Sequence, residues 1–227
     1  MLLYLFFIAC TLTSFKNGDF ETGNSQGWTI GGGYRASIYT DELVPATYLP
    51  DGANYDPVVA STHSSIVTSG SDPILGNLMP NIVHGGSYSW RIEDLDVNSY
   101  LSVISQQITN YFCLDIYFSW LAVLENGDHL SNESSALIID LKDTTVGDTV
   151  LSRLYDAGAG STGIDSRFQQ LGDYFYTPNW QVEHFSVDNT RIGHNFTLNI
   201  LAADCIYGGH RGYVYLDDFG GVNPNKK

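Results

Sequence analysis

Apolar and polar residues alternate along this chain with a period of two, and nowhere do they repeat at helical spacing for three turns. Tyr88, Trp90 and Ile92 alternate with Ser87, Ser89 and Arg91; Leu114, Ile116, Phe118 and Trp120 alternate with Cys113, Asp115, Tyr117 and Ser119. Leu137, Ile139 and Leu141 do the same in SALIIDLKD, as do Phe196, Leu198, Ile200 and Ala202 in NFTLNILAAD. Successive side chains of a strand point to opposite faces, so each run predicts a strand with one face turned to a core. Further strands are predicted near 28–39, 101–108, 150–155, 181–187 and 212–219. Turn-forming clusters separate them: Pro50-Asp51-Gly52, His84-Gly85-Gly86, Glu125-Asn126-Gly127-Asp128 and the Gly-rich 157–163. About nine or ten short strands joined by polar turns make an all-β, two-sheet antiparallel β-sandwich.

Two segments break the pattern. Residues 40–86 hold Pro45, Pro50, Pro57, Pro73 and Pro80, and 156–178 are rich in Gly and Asp. Long ordered loops on a β scaffold are where binding usually resides. The length of 227 residues suits one sandwich domain, predicted over 15–223 with a tail at 224–227. Residues 1–14 form an apolar run of signal-peptide length; a buried first strand is the alternative. No other segment is apolar enough to cross a membrane, which predicts a secreted, extracellular protein without membrane insertion.

Charge narrows the partners. The 25 acidic residues against 10 basic ones give a formal charge of −15, a field that repels nucleic acid and anionic headgroups and suits cations and neutral ligands. Cleavage after Cys10 would leave Cys113 and Cys205, either as a disulfide or as two buried thiols. Asn132-Glu133-Ser134 and Asn195-Phe196-Thr197 permit N-glycosylation.

The chain ends carry a resemblance. Asn17-Gly18-Asp19-Phe20-Glu21-Thr22-Gly23 followed by Gly27-Trp28 resembles the opening of carbohydrate-binding modules with the galactose-binding-like jelly-roll fold. GYVYLDDF over 212–219 resembles the closing strand of that fold. SIVTSG over 65–70 with Asp72-Pro73, then GSYSWRI over 86–92, Glu125 with Asp128-His129, and Asp204-Cys205 with Gly208-Gly209-His210 are similar to an uncharacterised family of extracellular jelly-roll domains found in bacterial surface proteins. The resemblance implies a jelly roll and an extracellular setting, and a glycan or cell-surface polymer as partner. It also implies a structural Ca²⁺ between the first and last strands, on Asp19, Glu21, Asp217 and Asp218. Regular strand geometry would put Asp19 and Glu21 on one face, and Asp217 and Asp218 on opposite faces.

A second polar cluster, Glu125, Asp128, His129, Asp204 and His210, falls at predicted strand ends. It can bind a transition metal such as Zn²⁺, or form a hydrogen-bonded network that fixes the 208–210 loop, with Asp204 accepting backbone N–H groups. Sugar binding requires exposed aromatic rings, and Trp180, Tyr174, Tyr176, Tyr207 and Tyr213 are the candidates, with Trp28, Trp90 and Trp120 assigned to the core. No GxSxG, P-loop, Rossmann or HExxH pattern is present. The expectation is therefore a secreted, non-catalytic, carbohydrate-binding domain with a structural calcium ion, with a structural or adhesive surface domain lacking a sugar site as the alternative and a polysaccharide-acting hydrolase after it.

Overall fold

The computed structural model describes residues 15–35, 43–158 and 164–226. The proposed signal peptide lies outside these. In chain order the strands are β1 (Thr29–Tyr34), β2 (Ser64–Thr68), β3 (Tyr88–Ile92), β4 (Tyr100–Ile108), β5 (Asp115–Glu125) and β6 (Ala136–Asp143). They continue with β7 (Asp148–Asp156), β8 (Gln169–Leu171), β9 (Tyr174–Tyr176), β10 (Gln181–Ser186), β11 (Phe196–Ala203) and β12 (Gly212–Gly220). One sheet runs β1-β4-β11-β6-β7; the other runs β2-β3-β12-β5-β9-β8, with β10 also paired to β5. Every pairing is antiparallel. The chain is thus an all-β jelly-roll sandwich. Its main core interleaves Ile104, Leu137, Ile139, Leu198 and Ile200 of the first sheet with Trp90, Ile116, Phe118, Trp120 and Leu216 of the second.

The proline-rich segment explains why β5 and β12 are buried on both faces. Residues 69–86 fold over the outside of the second sheet, packing Leu75, Met79 and Ile82 on Leu121, Val123, Tyr176, Tyr213 and Tyr215. Leu43 and Tyr48 cover Leu101, Val103, Ile138 and Leu201 outside the first sheet. Between these covers lies one short helix, α1 (Pro57–Thr62), with Pro57 in its first turn and the Asp56 carboxylate accepting from Val58 N and Val59 N. The segment read as binding loops is therefore largely a pair of lids on the sheets.

The opening and closing motifs form a seam. Residues 16–24 are turns rather than a strand, and Phe219 N donates to Gly18 O at 2.8 Å. Phe219 then meets Trp28 edge-on at 4.7 Å and stacks on Phe118 at 5.1 Å, while Phe20 stacks on Trp28 at 5.5 Å. Trp28 Nε1 donates to Asn17 O. Trp28, Trp90 and Trp120 are all buried. Cys113 is disulfide-bonded and Cys205 is a buried free thiol, so these two are not joined to each other. Among the described residues no helix is long and apolar enough to cross a membrane.

Candidate functional site

The five aromatic candidates separate by burial. Tyr213 and Tyr176 are 0% and 4% exposed, which removes them as sugar platforms; both sit under the 69–86 cover. Trp180 packs at the edge of the same cluster, its Nε1 donating to Asn81 O and its ring 5.4 Å from His84. Tyr174 is partly buried and its hydroxyl accepts from Arg211 Nη1 at 2.9 Å. Tyr207 alone of the five is largely open, at 62% exposure, with its hydroxyl donating to Glu133 Oε1 at 2.9 Å and its ring 4.7 Å from that of His129.

Tyr174 and Tyr207 belong to one end of the sandwich, where the turn after β5 meets the loop between β11 and β12. Here the residues of the second polar cluster divide. Glu125 Oε2 accepts from Arg211 N at 3.1 Å, and Glu125 N donates to Arg211 O, so this pair zips the two loops together. Asp128 is exposed, with a left-handed backbone (φ 55°) that turns the chain. Asp204 points inward, accepting from Asn98 N and Gly212 N, and burial pushes its carboxyl up to about 8. His129 and His210 come together, Nε2 to Nδ1 at 3.2 Å, and Cys205 Sγ lies 3.5 Å from the same His210 nitrogen. Cys205 joins this group as a buried free thiol, one of the two states the sequence left open for it; its place five residues before His210 was the available signal that it could serve as a ligand.

The terminal carboxylates do not make one oxygen cage. Among the described residues, two groups of three or more potential metal-ligating side chains have donor atoms within 4.8 Å of one another: His129, Cys205 and His210, and His63, Glu93 and Asp94. Glu21 Oε1 instead accepts from Ser87 N and Tyr88 N, and Asp19 Oδ1 from Glu21 N. The same-face argument fails for Asp19 and Glu21 because they lie in turns. The opposite-face argument fails for Asp217 and Asp218 because β12 shifts register after Asp217 and Asp218 adopts φ 55°. Both then reach the turn at 84–85: Asp217 Oδ2 accepts from His84 N and Gly85 N, and Asp218 Oδ2 pairs with His84 Nδ1.

Burial, with the Asp218 charge adding to it, pushes Asp217 up to about 7. A carboxyl raised on folding holds its proton where the unfolded chain has released it. Its stabilisation is complete below about pH 4 and is lost as pH rises through the folded value. Burial also raises Glu93 well above the carboxylate range. Thermal unfolding in EDTA is expected to give a midpoint that falls between about pH 5 and pH 8, with a flatter profile for Asp217→Asn. A midpoint that rises across this interval would contradict the assignment.

At the other end, Gly147, Asp148, Thr149, Val150, Phe185, Ser186, Asp188 and Arg191 line an open cleft of about 550 Å³. Arg191 is already paired there, with Asp143 and with Asp148.

No family model matches the chain, and no curated protein matches its sequence. Solved structures similar in fold include TmCBM61 in complex with β-1,4-galactotriose, at 13% identity and a TM-score of 0.47, covering 91% of this chain and 96% of that one. Caldicellulosiruptor saccharolyticus CBM27-1 in complex with mannohexaose is 12% identical with a TM-score of 0.41, covering 91% and 95%. The K2 cleaved adhesin domain of Lys-gingipain is 12% identical with a TM-score of 0.40, covering 89% and 94%.

Proposed function

We propose that the protein is an extracellular, non-catalytic carbohydrate-binding domain that takes a neutral glycan at the loop end carrying Tyr207. The observation that supports this most is the open Tyr207 ring, at 62% exposure, held by Glu133 and His129. A fixed aromatic face stacks on the C–H face of a sugar ring, and the flanking Glu133, Asp128 and Arg211 supply donors and acceptors for hydroxyls. The formal charge of −15 disfavours sulfated and uronic polymers, so the ligand class is neutral. The non-catalytic reading is supported by the burial of the strongly raised carboxyls: Glu93, Asp204 and Asp217 are each 0% exposed and lie apart from the cleft around Arg191.

Calcium is a separate proposal from the sequence resemblance. An ion on Asp19, Glu21, Asp217 and Asp218 would have to draw carboxylates away from the backbone N–H donors that several of them now hold. Excess Ca²⁺ that raises the unfolding midpoint, reversed by EDTA, would support it; superposed curves would sink it.

The glycan reading is tested by calorimetric titration of neutral oligosaccharides into the wild type and Tyr207→Ala. Loss of an aromatic platform should weaken binding at least about tenfold, or about 1.4 kcal/mol. Undiminished affinity in Tyr207→Ala would overturn the placement. No binding across the panel would leave the structural or adhesive surface domain.

A further inference from the structure

We propose that His129 Nε2, His210 Nδ1 and Cys205 Sγ form a three-ligand site for a divalent transition metal of the Zn²⁺ class. The three donor atoms all lie within 4.8 Å of one another. Zn–N bonds of about 2.0–2.1 Å and a Zn–S bond of about 2.3 Å in tetrahedral geometry require about 3.3 Å between two nitrogens and about 3.5 Å between nitrogen and sulfur. The corresponding separations here are 3.2 Å for His129 Nε2 to His210 Nδ1 and 3.5 Å for Cys205 Sγ to His210 Nδ1.

The loop is built to hold these atoms in place. Cys205 N donates to His210 O at 2.9 Å, closing the loop on itself, and Gly209 N points at Cys205 Sγ at 3.4 Å. An amide donor to sulfur favours the thiolate that a metal needs. The turn after β5 crosses directly over the two imidazoles at Gly127, where a Cβ would lie 2.1 Å from His210 Nδ1 and 2.7 Å from His129 Nε2. Cys205 is fully buried, and its thiol is free. Two imidazoles and one thiolate are a borderline-soft set that selects Zn²⁺, or Co²⁺ as a probe, over Ca²⁺ and Mg²⁺. Three protein ligands leave a fourth position for water.

The competing arrangement is a proton shared between the two imidazoles with an inert thiol beside them. Co²⁺ titration separates the two, and needs no sugar, so its outcome is independent of the glycan reading. Tag-free protein, its Cys113 disulfide intact, is stripped with EDTA, desalted under argon, titrated with Co²⁺ and followed by absorbance. The expected result is one equivalent bound, with the visible bands of tetrahedral Co²⁺ and a thiolate-to-metal charge-transfer band, all bleached by Zn²⁺. Cys205→Ser should lose the charge-transfer band. His129→Ala, a partly exposed position, should weaken Co²⁺ by more than the roughly 10–100-fold that loss of a supporting group costs. Circular dichroism checks that each variant is folded; should Cys205→Ser not fold, His129→Ala carries the test. Absence of tetrahedral bands in the wild type, or Co²⁺ affinity unchanged in folded His129→Ala, overturns the site.

Discussion

Asp72→Ala is expected to cost about 3–5 kcal/mol of stability, measured by chemical denaturation. Asp72 is 1% exposed and organises the cover over the second sheet. Its Oδ1 accepts from Ile74 N and Leu75 N, which fixes the turn that presents Leu75. Its carboxylate also accepts from the hydroxyls of Tyr213 and Tyr215, at 3.0 Å and 2.9 Å, and both tyrosines are 0% exposed. These residues are two apart on β12, so both rings emerge on the outer face and reach one acceptor. Alanine leaves two buried hydroxyls and two amides without partners, each at a cost of about 1–3 kcal/mol before relaxation. Tyr215→Phe removes one donor and should cost only about 1 kcal/mol. A loss below about 1 kcal/mol for Asp72→Ala would mean that the cover is held by its apolar contacts alone.

The seam between the chain ends carries the second large effect. A Cβ at Gly18 would stand 2.3 Å from Phe219 O, a backbone atom, so Gly18→Ala must push the two segments apart. That displacement strains the Phe219 N to Gly18 O bond and the packing of Phe219 on Trp28 and Phe118. Overpacking of this kind costs about 1–3 kcal/mol, and the lost hydrogen bond adds about 1 kcal/mol. An unchanged unfolding midpoint would show that the seam is not part of the cooperative unit. The motif that carries the family resemblance is, on this reading, folding machinery at the junction of the ends.

How much was legible follows from which forces are local. The alternation in β3, β6 and β11 is set by one core face, and these strands fall where the period of two places them. β8 and β9 are three residues each, too short for a period to register inside a Gly- and Asp-rich segment. Tyr176 and Tyr213 read as exposed sugar platforms because no local pattern reveals that 69–86 folds back over the outside of β5 and β12. Asp217 and Asp218 defeat alternation through a bulge whose cause, a left-handed Asp218, has no reliable sequence mark. His129 and His210 were found because both lie at strand ends on one side of the sandwich. Their convergence on Cys205 depends on the register of β12 against β5, which pairs Gly212 with Leu124.

The central claim is that the loop end around Tyr207 is the ligand-binding surface. Two-dimensional amide NMR during titration with neutral oligosaccharides tests it most directly. The expected result is a cluster of shifted resonances at Glu133, Tyr207 and Arg211, with the cleft around Asp148 and Arg191 unmoved. Shifts confined to that cleft, at the opposite end of the sandwich, would contradict the account.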